Sequence, residues 1–258
     1  MLFYTDLNQQ DFPLTADMVA ILPLGAIESH GPHLPLGTDV MIAEAIVDQA
    51  AVTLERADQD QRVVMMPTLW LGASDEHSHN LGTLTQEAEL LAAQITAIGA
   101  SLAANGINRL ILLNAHGGNK AAAEIASLRL RSQHEMLVAY PHWAQFGLPA
   151  DLPEALKAKG DVHGGWQETS ILMAIRPDLV AENKRTDFAA NTPSPRLFPK
   201  GPIGWGWMTD DINPAGAIGR ADLATPILGA ALLDHLGPAL ADLITDVVAA
   251  PWPPEPVA

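Results

Sequence analysis

The chain has 258 residues, 48% hydrophobic and 17% charged, the composition of a soluble globular protein with room for a sizeable core. Its formal net charge of −16 argues against nucleic acid and anionic membrane surfaces, both polyanions, and leaves small molecules or peptides as partners. Cysteine is absent, so disulfides and thiolate ligands are excluded, and a metal would have to be held by His, Asp, Glu and water.

No basic stretch followed by an apolar one opens the sequence, and no run is an uninterrupted membrane-length span, so one cytoplasmic domain over 1–258 is expected. The first strong element is the apolar run Met18 to Leu24, a buried strand that breaks at Pro23 and Gly25. Four metal-capable side chains follow it: Glu28, His30, His33 and Asp39. Residues two apart in extended chain point the same way, so Glu28 and His30 can face one cavity. Gly31, Pro32, Pro35 and Gly37 shape a rigid turn that returns Asp39 to the same place, where a helix from about Val40 to Leu54 begins. The plainer reading of this stretch is a polar loop with an N-cap Asp and two solvated histidines.

Val63 to Met66 is a second strand, and the loop Leu71 to Thr83 after it holds Asp75, Glu76, His77 and His79. Leu91, Ile95, Ile98 and Leu102 recur at helical spacing, with Thr85 as a candidate N-cap and Asn105-Gly106 as the stop. Leu110 to Leu113 is the clearest buried strand, running directly into Asn114-Ala-His-Gly-Gly-Asn119 and a helix to about Ser132. A short strand spans Met136 to Tyr140. This βαβα order predicts a three-layer α/β/α sandwich around a mostly parallel sheet. Ligands gather beyond the carboxyl ends of such strands, which puts Glu28, His30, Asp39, His77 and His116 on one rim.

From Ala144 to Lys159 the chain is Pro-rich and then helical. In Asp161 to Ser170, Asp161, His163 and Glu168 stand where an apolar helix, Glu168 to Ile175, opens. Asp161 is as well explained by the helix dipole as by chemistry, whereas Glu168 reads as a ligand. Thr186 to Pro214 reads as a long irregular loop in which Trp205 and Trp207 either line a pocket mouth or pack on the protein or a neighbouring subunit. Thr225-Pro226 opens a last helix with a kink at Pro238, and the tail Pro251 to Ala258 is expected to be poorly ordered.

Five stretches in this order resemble the creatininase (creatinine amidohydrolase) family. They are Leu24-Gly-Ala-Ile-Glu28-Ser-His30-Gly-Pro-His33-Leu-Pro-Leu-Gly-Thr-Asp39, Glu76-His77 followed by Gly82-Thr-Leu, Asn114-Ala-His116-Gly-Gly-Asn119, His163-Gly-Gly-Trp-Gln-Glu168-Thr-Ser, and Gly216-Ala-Ile-Gly219 with Ala224-Thr225. The resemblance implies hydrolysis of a non-peptide C–N bond, such as a cyclic amide or formamide of a small molecule, at two divalent ions (zinc, manganese or iron), often in a homohexamer. Following the family pattern, Glu28 and His116 bind one ion, His30 and Glu168 the other, and Asp39 bridges them. Three carboxylates and a hydroxide would balance the four positive charges, and two ions roughly 3.5–4 Å apart lower the pKa of a shared water and polarise a carbonyl.

Glu76, His77 and His163 are the candidate proton donors to the leaving amine, and the Gly117 and Gly118 N–H groups can hold an oxyanion unless they only make the turn that Asn119 caps. His33, Trp205 and Trp207 join them as candidate substrate contacts. Creatininase proper looks to carry a glutamate ligand two residues after the histidine that matches His116, where this sequence has Gly118, so the second carboxylate is assigned to Glu168. Branches that resemble the His-Gly-Gly-Asn form include deformylases of formamidopyrimidine nucleotides and peptidases that trim a peptide-derived redox cofactor. A nucleotide substrate would need a phosphate site, and no clear basic cluster offers one; Lys184, Arg185, Arg196 and Lys200 are the only nearby candidates. A family-shaped metal-binding protein without turnover is the other class of reading.

Overall fold

In the computed structural model, which describes residues 1–15, 17–59, 62–153, 156 and 160–253, strand β2 (Val19–Leu24) is buried at every position. That is what a strand covered on both faces requires, and it explains an apolar run without alternation. β2 lies at the centre of a five-stranded sheet whose order is β1 (Leu2–Phe3), β3 (Val63–Met65), β2, β4 (Arg109–Asn114) and β5 (Leu137–Ala139), every pairing parallel. The period of two divides its side chains. Val19 and Ile21 face a layer made by α1 (Thr38–Arg56), α4 (Trp166–Ile175) and α6 (Pro226–Ala249), whereas Ala20, Leu22 and Leu24 face α2 (Ala88–Ala104) and α3 (Lys120–His134). The result is a three-layer α/β/α sandwich.

Several local expectations change. α1 starts at Thr38, so Asp39 sits inside its first turn. Thr85 does not cap α2, whose N-cap is Glu87. The loop after Thr186 is less irregular than its composition suggests. It contains β6 (Asp187–Phe188), paired antiparallel with β7 (Gly219–Arg220), and the short α5 (Thr209–Ile212). α6 stays helical through Pro238. By length and composition α6 is apolar enough to cross a membrane, yet Leu232, Leu236 and Leu240 are wholly buried against the core. Each such side chain contributes roughly 1.5–3 kcal/mol by burial, which accounts for an apolar helix at this position.

The helix expected before Lys159 falls largely on residues 154, 155 and 157–159, outside the described residues, as does the tail from Pro254. Within the described part of the tail, Trp252 is held, contrary to the expectation of disorder. Its indole N–H donates to the Glu135 carbonyl at 2.6 Å, and Arg131 stacks over its ring.

Candidate metal centre

The site forms where β2, β3 and β4 end. Ala115 N–H donates to the Leu24 carbonyl and Gly25 N–H to the Leu69 carbonyl, so the loops leave the sheet already tied together. Asn119 completes the tie. Its Oδ1 accepts from the Ala73 N–H at 2.9 Å and its Nδ2 donates to the Gly25 carbonyl at 3.0 Å. Sequence reasoning cast Asn119 as the cap of the following helix, but its side chain makes no cap there. Thr85 likewise works across the loop, accepting from the Ser74 N–H and donating to Asp75 Oδ1.

These ties bring Glu28, His30, Asp39, His77, His116, His163 and Glu168 into one buried cluster, with Glu168 at 12% exposure the most open. His116 Nδ1 lies 3.1 Å from Glu28 Oε2 and 3.3 Å from Asp39 Oδ2. His30 Nε2 lies 3.0 Å from Asp39 Oδ1 and 3.8 Å from Glu168 Oε2. Asp39 therefore turns one oxygen to each histidine. A third set meets at Glu28 Oε1, which is 3.4 Å from His77 Nε2 and 3.6 Å from His163 Nδ1.

The outward nitrogen of every ring fixes its tautomer. His30 Nδ1 faces the Glu28 carbonyl at 3.2 Å, His116 Nε2 the Ala73 carbonyl at 2.9 Å, and His163 Nε2 the Ser29 carbonyl at 2.7 Å. Carbonyls only accept, so these nitrogens carry the proton. His77 Nδ1 lies 2.8 Å from the Thr209 hydroxyl, which donates onward to the Glu76 carbonyl at 3.0 Å, so His77 Nδ1 is a donor too. In the neutral rings every inward nitrogen is then a lone pair aimed at a carboxylate. Glu28 Oε1 and Oε2 and Asp39 Oδ2 are buried with no hydrogen-bond donor. Lone pairs facing unpaired buried carboxylates are unstable unless a cation, proton or metal, lies between them. Outward N–H groups anchored on carbonyls are the usual support of imidazole metal ligands, so the donor set fits divalent ions.

Charges respond accordingly. Burial opposes protonation of His30, but Asp39, Glu168 and Glu28 outweigh it and lift the ring to about 9. His116 is likewise raised, burial being overcome by Glu28 and Asp39. Asp39 is held low: burial works against its charge, and His30 and His116 prevail. Burial drives the other groups toward neutrality, His77 to about 4, His163 well down, Glu168 up to about 7 and Glu76 upward.

A cleft of about 360 Å³ opens above the cluster, lined by Glu76, His77, His116, Gly117, Gly118 and His163 below and by Lys200, Trp205 and Trp207 opposite. Both tryptophans are thus brought to the cleft. His33 is not. It is buried elsewhere, 2.9 Å from the Thr169 hydroxyl through Nε2 and stacked on Phe188, so its motif position reflects packing of the turn. Asp161 accepts from the Trp166 and Gln167 N–H groups through its two oxygens, pairing the first N–H groups of α4, whose N-cap is Gly165. Glu168, one turn in, accepts from the Gly164 N–H at 2.7 Å. Sequence reasoning missed Thr209 and the Ser29 and Ala73 carbonyls. A lone Thr carries no motif, and carbonyls carry no sequence signal at all.

Fold and cluster together define an α/β protein built around a buried His–carboxylate centre at the carboxyl edge of a parallel sheet. The chain belongs to the creatininase family of hydrolases: the profile for creatinine amidohydrolase matches residues 5–244. It is 33% identical over 241 residues to the mycofactocin precursor peptide peptidase of Mycobacterium ulcerans, covering 92% of this chain and 86% of that protein. It is 29% identical over 248 residues to the creatinine amidohydrolase of Pseudomonas putida, covering 89% and 90%. A crystal structure of creatininase superposes with a TM-score of 0.77 at 24% identity over 98% of this chain and 99% of that one, and solved creatininases include a manganese form and a Zn-Zn form.

Proposed function

We propose that the protein is a metal-dependent amidohydrolase that cleaves an amide C–N bond in a peptide-derived substrate. The observation that carries this away from creatinine is at Gly118. A Cβ there would lie 2.0 Å from the Ala73 carbonyl oxygen, 2.5 Å from His116 Nε2 and 2.9 Å from Glu76 Oε1. The backbone leaves no space for the glutamate that, by the family resemblance, creatininase carries at the matching position. The relatives at 31–33% identity, named as peptidases, support the same direction. A separate cavity of about 650 Å³, lined by Leu148, Leu156, Pro195 and Phe198, shares Lys200 with the cleft.

One ion would be held by Glu28 Oε2, Asp39 Oδ2 and His116 Nδ1, the other by His30 Nε2, Asp39 Oδ1 and Glu168 Oε2, with His163 also in reach of His30 and Glu168. When bound, such ions supply Lewis acidity and an activated water near neutral pH. The protein supplies the rest. Glu76 stands on the cleft wall, 3.6 Å from His116 Nε2, with its carboxyl raised by burial, so it can hold a proton and deliver it to the leaving amine. His77 and His163 have their N–H groups committed outward to Thr209 and Ser29 and turn only lone pairs inward, which makes them poorer donors than Glu76. Gly117 and Gly118 line the wall where an oxyanion would form, and Trp205 and Trp207 offer flat apolar faces to a substrate side chain.

The test is product analysis by mass spectrometry of the zinc- or manganese-loaded protein with short peptides, creatinine and small formamides. Cleavage of peptides alone is the expected result. Turnover of creatinine or a formamide without peptide cleavage would restore the small-molecule reading. Two bound ions with no turnover on a broad panel would favour the non-catalytic one.

A further inference from the structure

The inward donor atoms of the cluster outnumber what two ions use. Once Glu28 Oε2, Asp39 and His116, with His30 and Glu168, are assigned to two positions, Glu28 Oε1 and His77 Nε2 remain, with His163, which also lies in reach of His30 and Glu168. Ligand atoms of Glu28, His77 and His163 lie within 4.8 Å of one another and all three residues are buried. Glu28 Oε1 has no hydrogen-bond donor. Both rings are pre-set as acceptors, His77 by Thr209 and His163 by the Ser29 carbonyl. The two imidazoles also line the cleft, so one side of the group is open. Two imidazoles, one carboxylate and an open fourth place make up the donor set of zinc hydrolase sites.

We infer that Glu28, His77 and His163 form a third divalent-cation position, sharing Glu28 with the first ion as Asp39 is shared between the first and second. Charge orders the affinities. Three dications bring six positive charges against three from Glu28, Asp39 and Glu168, so the third ion is the weakest and exchanges first. Imidazole-rich coordination suits zinc better than magnesium or calcium.

The test is metal titration of the full-length protein with zinc and with manganese, read as ions per chain by mass spectrometry after equilibrium dialysis. Anomalous diffraction from crystals soaked at saturating manganese locates the ions. The expected result is two tight ions and a weaker third, with an anomalous peak between Glu28, His77 and His163. His77→Gln should remove that peak. Thr209→Val, which touches no donor atom, should weaken the third class 10–100-fold and leave the first two in place, as loss of a ligand's outer hydrogen bond does. Saturation at two ions with both peaks elsewhere, and no change in His77→Gln, overturns the third position while the two-ion reading stands. No bound metal at all overturns both. A peak at this position with another one missing keeps it and refutes the two-ion assignment.

Discussion

Asn119 gives the most direct test of how this centre is held. Its side chain is 1% exposed and joins the loops after β2, β3 and β4 through the Ala73 N–H and the Gly25 carbonyl. Asn119→Ala leaves both groups buried and unpaired. Each costs about 1–3 kcal/mol, so the variant should lose about 2–6 kcal/mol and, in a chain of this size, melt roughly 4–24 °C lower. That is a large part of the roughly 5–15 kcal/mol that holds a domain together. Asn119→Asp keeps the acceptor for Ala73 but turns a carboxylate oxygen on the Gly25 carbonyl, so it should fare no better. Asn105→Ala is the control: its amide donates to the Ser101 carbonyl at the surface end of α2, and its loss should cost under about 1 kcal/mol. Urea titration followed by circular dichroism, with and without bound metal, measures all three. A loss below about 1 kcal/mol for Asn119→Ala in metal-free protein would refute the argument, because the loops would then be held by packing alone.

Other outcomes follow from the same geometry. Glu168→Gln should shed one tightly bound ion and nearly all hydrolysis; unchanged metal content and rate would show that the second position draws its carboxylate from elsewhere. Metal-free protein should lose stability as pH rises from about 7 to 9, a range in which His77 and His163, both lowered by burial, are neutral in either state. Despite burial, the carboxylates around His30 raise it from 6.5 to about 9, so its contribution is complete below pH 6.5 and disappears as pH climbs through about 9. Added zinc should flatten that profile in thermal melts, and a flat profile without metal would contradict the charge pattern. Gly118→Ala forces a methyl group onto the Ala73 carbonyl, so a stability loss of about 1–3 kcal/mol and weaker metal binding are expected; a neutral result would undo the steric case against a glutamate there. Trp205→Ala should raise KM several-fold with kcat little changed, and a fall in kcat alone would remove it from substrate contact.

What the sequence by itself determined is whatever depends on neighbours along the chain. The unbroken apolar runs of β2 and β4 declare strands covered on both faces, and the helices between them make the sheet parallel. A parallel sheet gathers its loops at one edge, so Glu28, His30, Asp39, His77 and His116 were legible as companions from order alone. Local rules failed where a polar side chain had a better partner far away. Asn119 and Thr85 have the chemistry of helix caps, yet their hydrogen bonds go to Ala73, Gly25, Ser74 and Asp75, because a buried N–H or carbonyl in a crossing loop costs more unpaired than one at a wet helix end.

His33 and His30 look alike in the motif, three residues apart with glycine and proline between. Only the tertiary structure sends one ring to the carboxylates and the other against Phe188 and Thr169. The direction of each imidazole was likewise beyond the sequence. It rests on three backbone carbonyls and the Thr209 hydroxyl, groups that no residue pattern encodes. They decide which nitrogen faces inward, and so whether His77 and His163 give protons or take metal.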